Sequence, residues 1–319
     1  MMSFCRRSSP LQLSPGFRAL AFLLLLAPFG AGRAVEPAVE VRADLPFLSA
    51  DRKEKLDLFL PAPPPAGRRS PAVVWIHGGG WAGGTKNEAR AKNICGLLAQ
   101  AGYVVVSIDY KLGDGAWPTN LYDCKNAVRY LRVHAAEYRL DPERIGVAGG
   151  SAGGHLALMV GLTGGKPEFE PTGAATPYPQ YSSRVRCVIN MYGVTDLLTR
   201  QNTDPKGRPT GVSKMSASLL RSFGADSATA DVLRLASPVT HVAKDSLPIL
   251  TLHGRADATV DYPQAEELDR VLKQHGVAHE LVLLDGVGHT FDYQTWNKKP
   301  LPRDVRAIAL TFLEKHLGR

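Results

Sequence analysis

The chain has 319 residues, 44% hydrophobic and 21% charged, with 38 Lys and Arg against 30 Asp and Glu for a formal net charge of +8. These are globular proportions, so a disordered chain is excluded. The 31 Gly and 23 Pro exclude a long helical rod, and only four Cys at this length exclude a disulfide-stapled miniprotein.

The positive charge raises the question of a nucleic-acid or anionic-membrane partner, and its distribution answers much of it. Residues 1–34 hold Arg6, Arg7, Arg18 and Arg33 without an acidic residue, which is +4 of the +8; from Val35 onward 34 basic residues (38 − 4) face 30 acidic ones. That remainder has no cluster of Lys and Arg, so no nucleic-acid partner is expected. Residues 19–29 form an eleven-residue apolar run, followed by small residues that end at Ala34. This is the layout of a secretory signal peptide. A membrane-crossing helix needs about 20 residues, so a cleaved signal over 1–34, with no stable span afterwards, is favoured over an uncleaved anchor. Ser9 and Pro10 follow Arg6-Arg7 where a bulky apolar residue would mark twin-arginine export, and that route is not favoured. The expected location is periplasmic or extracellular, and residues 35–319 are expected to form one catalytic domain. Beyond Cys5, the thiols Cys95, Cys124 and Cys187 show no CxxC or metal-ligand spacing and read as small buried hydrophobes.

Along the mature chain, residues 56–60 read as a half-exposed strand. Residues 72–77, 103–108, 145–148, 185–192, 249–253 and 280–284 read as buried ones. These six lack polar alternation, as parallel strands covered on both faces do. Helices are expected near 86–100, 120–136, 152–162, 263–275 and 303–317. Alternating strands and helices predict an α/β doubly wound sheet. Two stretches break the rhythm, 164–183 and 193–230. The second follows a strand, carries a helical patch at 212–223, and is the better candidate for a cap over the site.

Gly149-Gly150-Ser151-Ala152-Gly153 has the G-x-S-x-G pattern between a strand and a helix. A sharp turn there would hold Ser151 in a strained conformation, tolerate only small neighbours, and set its hydroxyl over a helix N-terminus. His77-Gly78-Gly79-Gly80-Trp81 also follows a strand, and its glycines let backbone N–H groups converge on one point. The backbones of Gly79, Gly80 and Ala152 are the expected oxyanion donors. The competing phosphate-loop reading lacks a G-x-x-x-x-G-K-[ST] pattern. Asp257, in His253-Gly-Arg-Ala-Asp257, and His289, in Asp285-Gly-Val-Gly-His289, each lie just past a strand, in the order Ser, acid, His. His289 is thus the expected general base and Asp257 its orienting acid. Asp196 competes as the acid, its simpler role being to fix a loop; Asp261 reads as a helix cap. His77, His155 and His253 read as hydrogen-bonded structural residues. Trp81, Tyr110 and Trp117 are candidate substrate-lining aromatics, with plain packing as the alternative. No HExxH or other metal pattern occurs, so neither metal nor cofactor is expected.

Taken together, His77–Trp81, Ser107-Ile-Asp-Tyr-Lys-Leu112, Asp141-Pro-Glu-Arg-Ile145, Gly149–His155 and His253–Asp257 resemble the α/β-hydrolase superfamily. Within it the chain is similar to esterases related to hormone-sensitive lipase, and especially to small secreted acetyl and feruloyl carbohydrate esterases. The resemblance runs from about residue 55 onward and implies a mostly parallel eight-stranded sheet with helices on both faces. It also implies a cofactor-free Ser151, His289, Asp257 triad. Lys111 and Arg255 depart from residues common in that group, without touching the triad. The resemblance further implies that Cys95 and Cys124 flank opposite faces of the sheet, which disfavours a bridge between them. The activity implied is serine carboxylesterase on short acyl or aryl esters, including acetyl or feruloyl groups on plant carbohydrate. Amide cleavage of the arylformamidase or peptidase kind is the alternative on the same triad.

Overall fold

A computed structural model describes residues 38–318 apart from 205, 207–208, 213–216 and 225–229. The expected signal segment, 1–34, lies outside the described residues.

In chain order the elements are β1 (Glu40–Pro46), β2 (Lys55–Leu60), β3 (Ser70–Ile76), α1 (Ala89–Gln100), β4 (Val104–Ile108), α2 (Thr119–Val133), β5 (Leu140–Gly150), α3 (Ala152–Leu162) and β6 (Val188–Met191). A small ribbon of β7 (Gln201–Thr203) and β8 (Pro209–Val212) follows, then the short helices α4 (Ala217–Ser222) and α5 (Ala230–Leu235). The chain continues through β9 (Ile249–Gly254), α6 (Pro263–Gln274), β10 (His279–Leu284), a second ribbon of β11 (Thr295–Trp296) and β12 (Lys299–Pro300), and α7 (Val305–Leu317). Eight strands form one sheet in the order β1-β2-β4-β3-β5-β6-β9-β10. The pairings β1/β2 and β2/β4 are antiparallel, and every later pairing is parallel.

Each buried strand predicted from sequence is present with shifted ends. Strand β1 was not anticipated, because six of its seven residues are exposed and it pairs on one side only, which leaves no apolar pattern to read. The sheet's central strands are buried on both faces, while the edge strands β1 and β10 are partly exposed. One core joins its residues to α2, α3 and α6, and a second joins them to α1 and α7. Cys124 belongs to the first core, Cys95 and Cys187 to the second, and all three are free and buried.

The 164–183 insertion is pinned to α2 by a buried charge cluster. Lys125 Nζ donates to Glu170 Oε1 at 2.8 Å and to the Thr163 carbonyl at 2.8 Å, while Arg129 Nη2 donates to Glu170 Oε2 at 2.5 Å. The Gly165 amide and the Ser183 hydroxyl also donate to Glu170. Burial pulls the Lys125 ammonium down to about 8 even with Glu170 opposing the shift. Removing the carboxylate strands two cations in the interior. Glu170→Ala is therefore expected to cost about 3 kcal/mol of unfolding free energy at neutral pH. Urea unfolding checks this; a loss below about 1 kcal/mol would show that the cluster does not anchor the insertion.

Candidate active site

The carboxyl ends of β3, β5, β6, β9 and β10 all lie at one edge of the sheet, and the loops leaving them build the site. Ser151 occupies the turn between β5 and α3 with φ 57° and ψ −122°, a conformation that a side-chain-bearing residue rarely adopts. The surrounding glycines allow it. A Cβ at Gly149 would collide with the Gly153 carbonyl, and one at Gly153 would collide with the carbonyls of Ile76 and His77 at the end of β3. The Ser151 amide is fixed across the sheet by donating to the Met191 carbonyl at 2.9 Å.

The side chains of Ser151, His289 and Asp257 form one hydrogen-bonded chain. The Ser151 hydroxyl donates to His289 Nε2 at 3.0 Å, and His289 Nδ1 donates to Asp257 Oδ2 at 2.6 Å, the carboxylate fixing the tautomer. Asp257 is fully buried, and its Oδ1 accepts the amides of Thr259 at 2.8 Å and Val260 at 2.9 Å. Burial opposes its charge, but the contacts from His253 and His289 hold its carboxyl well below the usual carboxylate range. This arrangement can relay a proton from the Ser151 hydroxyl to an imidazole paired with a buried anion.

The glycine loop after β3 faces this chain. An added Cβ at Gly78 would lie 3.1 Å from Ser151 Cβ, so the loop backbone already touches the serine. Gly79 and Gly80 have φ of 113° and 61°, and the turn closes when the Gly83 amide donates to the Gly79 carbonyl at 3.0 Å. Among the described residues, the amides of Gly79 and Gly80 donate to no backbone acceptor. The Ala152 amide, first in α3, has no helical partner by its position. Two of these amides sit in the loop that approaches Ser151, and the third directly follows it in the chain.

The competing residues fall elsewhere. Asp196 Oδ1 accepts the Leu198 amide at 2.7 Å and lies 3.3 Å from the Ser237 hydroxyl, fixing the loop after β6. Asp261 is not the cap of α6, whose N-cap falls on Tyr262 without a side-chain hydrogen bond. Tyr110 and Trp81 are each 1% exposed and packed against neighbouring rings. Tyr110 donates to the His77 carbonyl at 2.9 Å and stacks on that ring at 4.4 Å, bracing the loop from below. Trp81 Nε1 donates to His155 Nδ1 at 3.3 Å and packs edge-on against Phe223. Trp117 remains partly exposed, and its amide donates to the Ser222 carbonyl at 2.9 Å, which ties α4 to this side of the site. Sequence reasoning missed Tyr192, which sets its ring edge-on to His289 at 4.9 Å and donates to the Phe291 carbonyl at 2.9 Å. Its place directly after a core strand was the only available signal.

Comparison with known proteins agrees with this geometry. The sequence matches the BD-FAE family over residues 56–272. The chain belongs to that family. It is 33% identical over 229 residues to the probable carboxylic ester hydrolase LipM of Mycobacterium tuberculosis, covering 70% of this chain and 50% of LipM. It is 30% identical over 270 residues to ethyl acetate hydrolase of Pseudomonas putida, covering 82% and 78%. It spans about half the length of the mycobacterial relatives it matches. Among solved structures, an esterase of Thermogutta terrifontis with propionate bound superposes with a TM-score of 0.64 at 26% identity, covering 88% of this chain and 94% of that one. A truncated carbohydrate esterase from gut microbiota gives 0.70 at 24% identity, covering 89% and 98%, a likeness of fold. The fold is that of the α/β hydrolases, and the mycobacterial relatives that the chain matches over about half of their length are named as ester hydrolases.

His155 supplies a test of how this site is supported. It is fully buried, with Nε2 donating to the Ala236 carbonyl at 2.7 Å, and burial lowers its pKa from 6.5 to about 4. The unfolded chain therefore binds the extra proton first. This residue's share of stability is present above about pH 6.5 and is lost as pH falls toward 4, by about 3 kcal/mol. His155→Gln is expected to flatten the stability–pH slope in that window, measured by urea unfolding at stepped pH; an unchanged slope would refute the assignment.

Proposed function

We propose that the protein is an exported serine carboxylesterase that hydrolyses short acyl or aryl esters, including acetyl or feruloyl groups on plant carbohydrate. The observation that carries this reading is the hydrogen-bonded Ser151–His289–Asp257 chain lying against the free amides of the glycine loop. In it, Ser151 Oγ attacks the ester carbonyl carbon while its proton passes to His289 Nε2. The carbonyl oxygen becomes an oxyanion held by the amides of Gly79, Gly80 and Ala152, each such donor contributing about 2.7 to 4 kcal/mol. The carbon–oxygen bond to the alcohol then breaks, and His289 protonates the departing oxygen. Water repeats the sequence on the acyl-enzyme, freeing the acid and restoring Ser151. Asp257 stays ionised throughout and stabilises the imidazolium.

Short acyl groups are supported by the Thermogutta terrifontis esterase, solved with propionate and with butyrate bound, and by the ethyl acetate hydrolase relative. Carbohydrate as the alcohol is supported by the resemblance of the motifs and by the fold shared with a carbohydrate esterase from gut microbiota. Export is supported by the charge and apolar pattern of residues 1–34 alone.

Ser151→Ala is expected to lower kcat/KM for p-nitrophenyl acetate by on the order of 10⁴-fold or more, and Asp257→Asn by about 10⁴-fold. Full activity of the serine variant would overturn the nucleophile. A panel of acetylated xylan, methyl ferulate and an N-formyl aryl amine is expected to show turnover of one or both esters; preference for the formamide would replace the ester reading. Expression of the full chain in a secreting host is expected to yield a mature N-terminus near Val35. An intact Met1 on a cell-retained product would remove the export proposal.

A further inference from the structure

Asp257 touches two histidines. His289 approaches Oδ2 at 2.6 Å from the loop after β10, and His253, in the last turn of β9, places Nε2 3.3 Å from the same oxygen. His253 is fully buried, and its Nε2 lies 3.0 Å from the Val260 carbonyl. A carbonyl oxygen only accepts, so Nε2 carries the hydrogen and donates it to Val260 O, with Asp257 Oδ2 alongside at 3.3 Å. The opposite ring nitrogen, Nδ1, is buried without a hydrogen-bond partner. A ring used only for packing would be replaced at a gain by Leu or Met, because a buried unpaired polar atom is destabilising. The polarity of His253 is spent wholly at the Nε2 end, on the loop and carboxylate that orient His289.

We infer that His253 is a positioning residue for Asp257: it occupies one side of Oδ2 and holds the 257–260 loop, so that the remaining lone pair of Oδ2 points at His289. The inference rests on the reading of Ser151, His289 and Asp257 as a catalytic triad and extends it to a fourth side chain. Asp257 then has a donor on every side that is not open to His289. Oδ1 takes the amides of Thr259 and Val260, and the His253 Nε2 edge lies 3.3 Å from Oδ2. The other charged and titratable groups facing it are Arg200 from the loop after β6, Asp261 from its own loop, and the Tyr192 hydroxyl. Arg200 acts on the same loop from outside, donating to the Thr259 carbonyl at 2.5 Å. His253 thus tempers the basicity of the anion as well as its aim, because a carboxylate that shares Oδ2 with a second donor pulls less strongly on the His289 proton.

The test compares wild type with His253→Met, which keeps the bulk and removes the donor, and His253→Gln, which returns an N–H near the Nε2 position. On p-nitrophenyl acetate, His253→Met is expected to lower kcat on the order of tenfold with KM within about twofold. The acid limb of its kcat/KM profile is expected to move to higher pH by about half a unit, because the coupled Asp257–His289 pair holds its proton more tightly. The downfield proton resonance of the Nδ1–H···Oδ2 bond is expected to move further downfield. His253→Gln is expected to restore the wild-type limb. A Met variant that loses only thermal stability, with acid limb and resonance unmoved, overturns the inference. Where the Met variant does not fold, a Gln variant whose limb departs from wild type overturns it equally. Wild-type turnover and its loss in Ser151→Ala report separately on the triad, so failure of the triad reading is distinguishable from failure of the role given to His253.

Discussion

Everything at the site depends on a close approach of bare backbone. The end of β3, the end of β5 and the first turn of α3 meet so tightly that no Cβ fits at Gly149 or Gly153. That approach forces Ser151 into a left-handed turn and brings the glycine loop against it. The strain of such a turn costs on the order of 1 to 3 kcal/mol, and the parallel ladders on both sides of β5 hold it in place. Once the turn is set, Ser151 sits at the start of α3 with the glycine loop close beside it.

The acid and the base reach that volume by a different route. Asp257 and His289 lie on loops leaving neighbouring parallel strands, and the register of β9 with β10 runs in step from Ile249 opposite His279 to Gly254 opposite Leu284. The two loops are locked to each other as well. The Arg255 amide donates to the Leu284 carbonyl and the Ala256 amide to the Val287 carbonyl, while a Cβ at Gly254 would collide with Val287. Their separation is therefore set by backbone pairing, and the 2.6 Å contact between His289 and Asp257 inherits that precision.

These two routes explain what could be read in the sequence. Gly149, Gly153, Gly79 and Gly80 were legible because each backbone constraint there admits only glycine or a very small residue, so the geometry leaves a mark in residue identity. Ser151, Asp257 and His289 were legible through that mark and through their positions just past apolar strands. Strand β1 was not, since an exposed edge strand needs no apolar pattern. Tyr110 and Trp81 were open to two readings because an aromatic side chain looks the same in sequence whether it faces a ligand or braces a loop. Tyr192 acts through contacts with a loop far away in sequence, which no local spacing encodes, whereas His253 meets Asp257 and Val260 only a few residues on, through a loop conformation that residue identity does not mark.

The two-layered cover of the sheet has a consequence for where this body can exist. Its thiols are divided, Cys124 beneath one helical layer and Cys95 with Cys187 beneath the other, and burial keeps them protonated, raising Cys187 to about 12. Protonated, sequestered sulfur is a poor nucleophile and a slow partner for oxidants or exchange reagents. The described body draws no stability from a covalent cross-link, so its folding does not depend on the redox poise around it. Among the described residues, oxidants and reductants therefore meet neither a cross-link nor an exposed thiol.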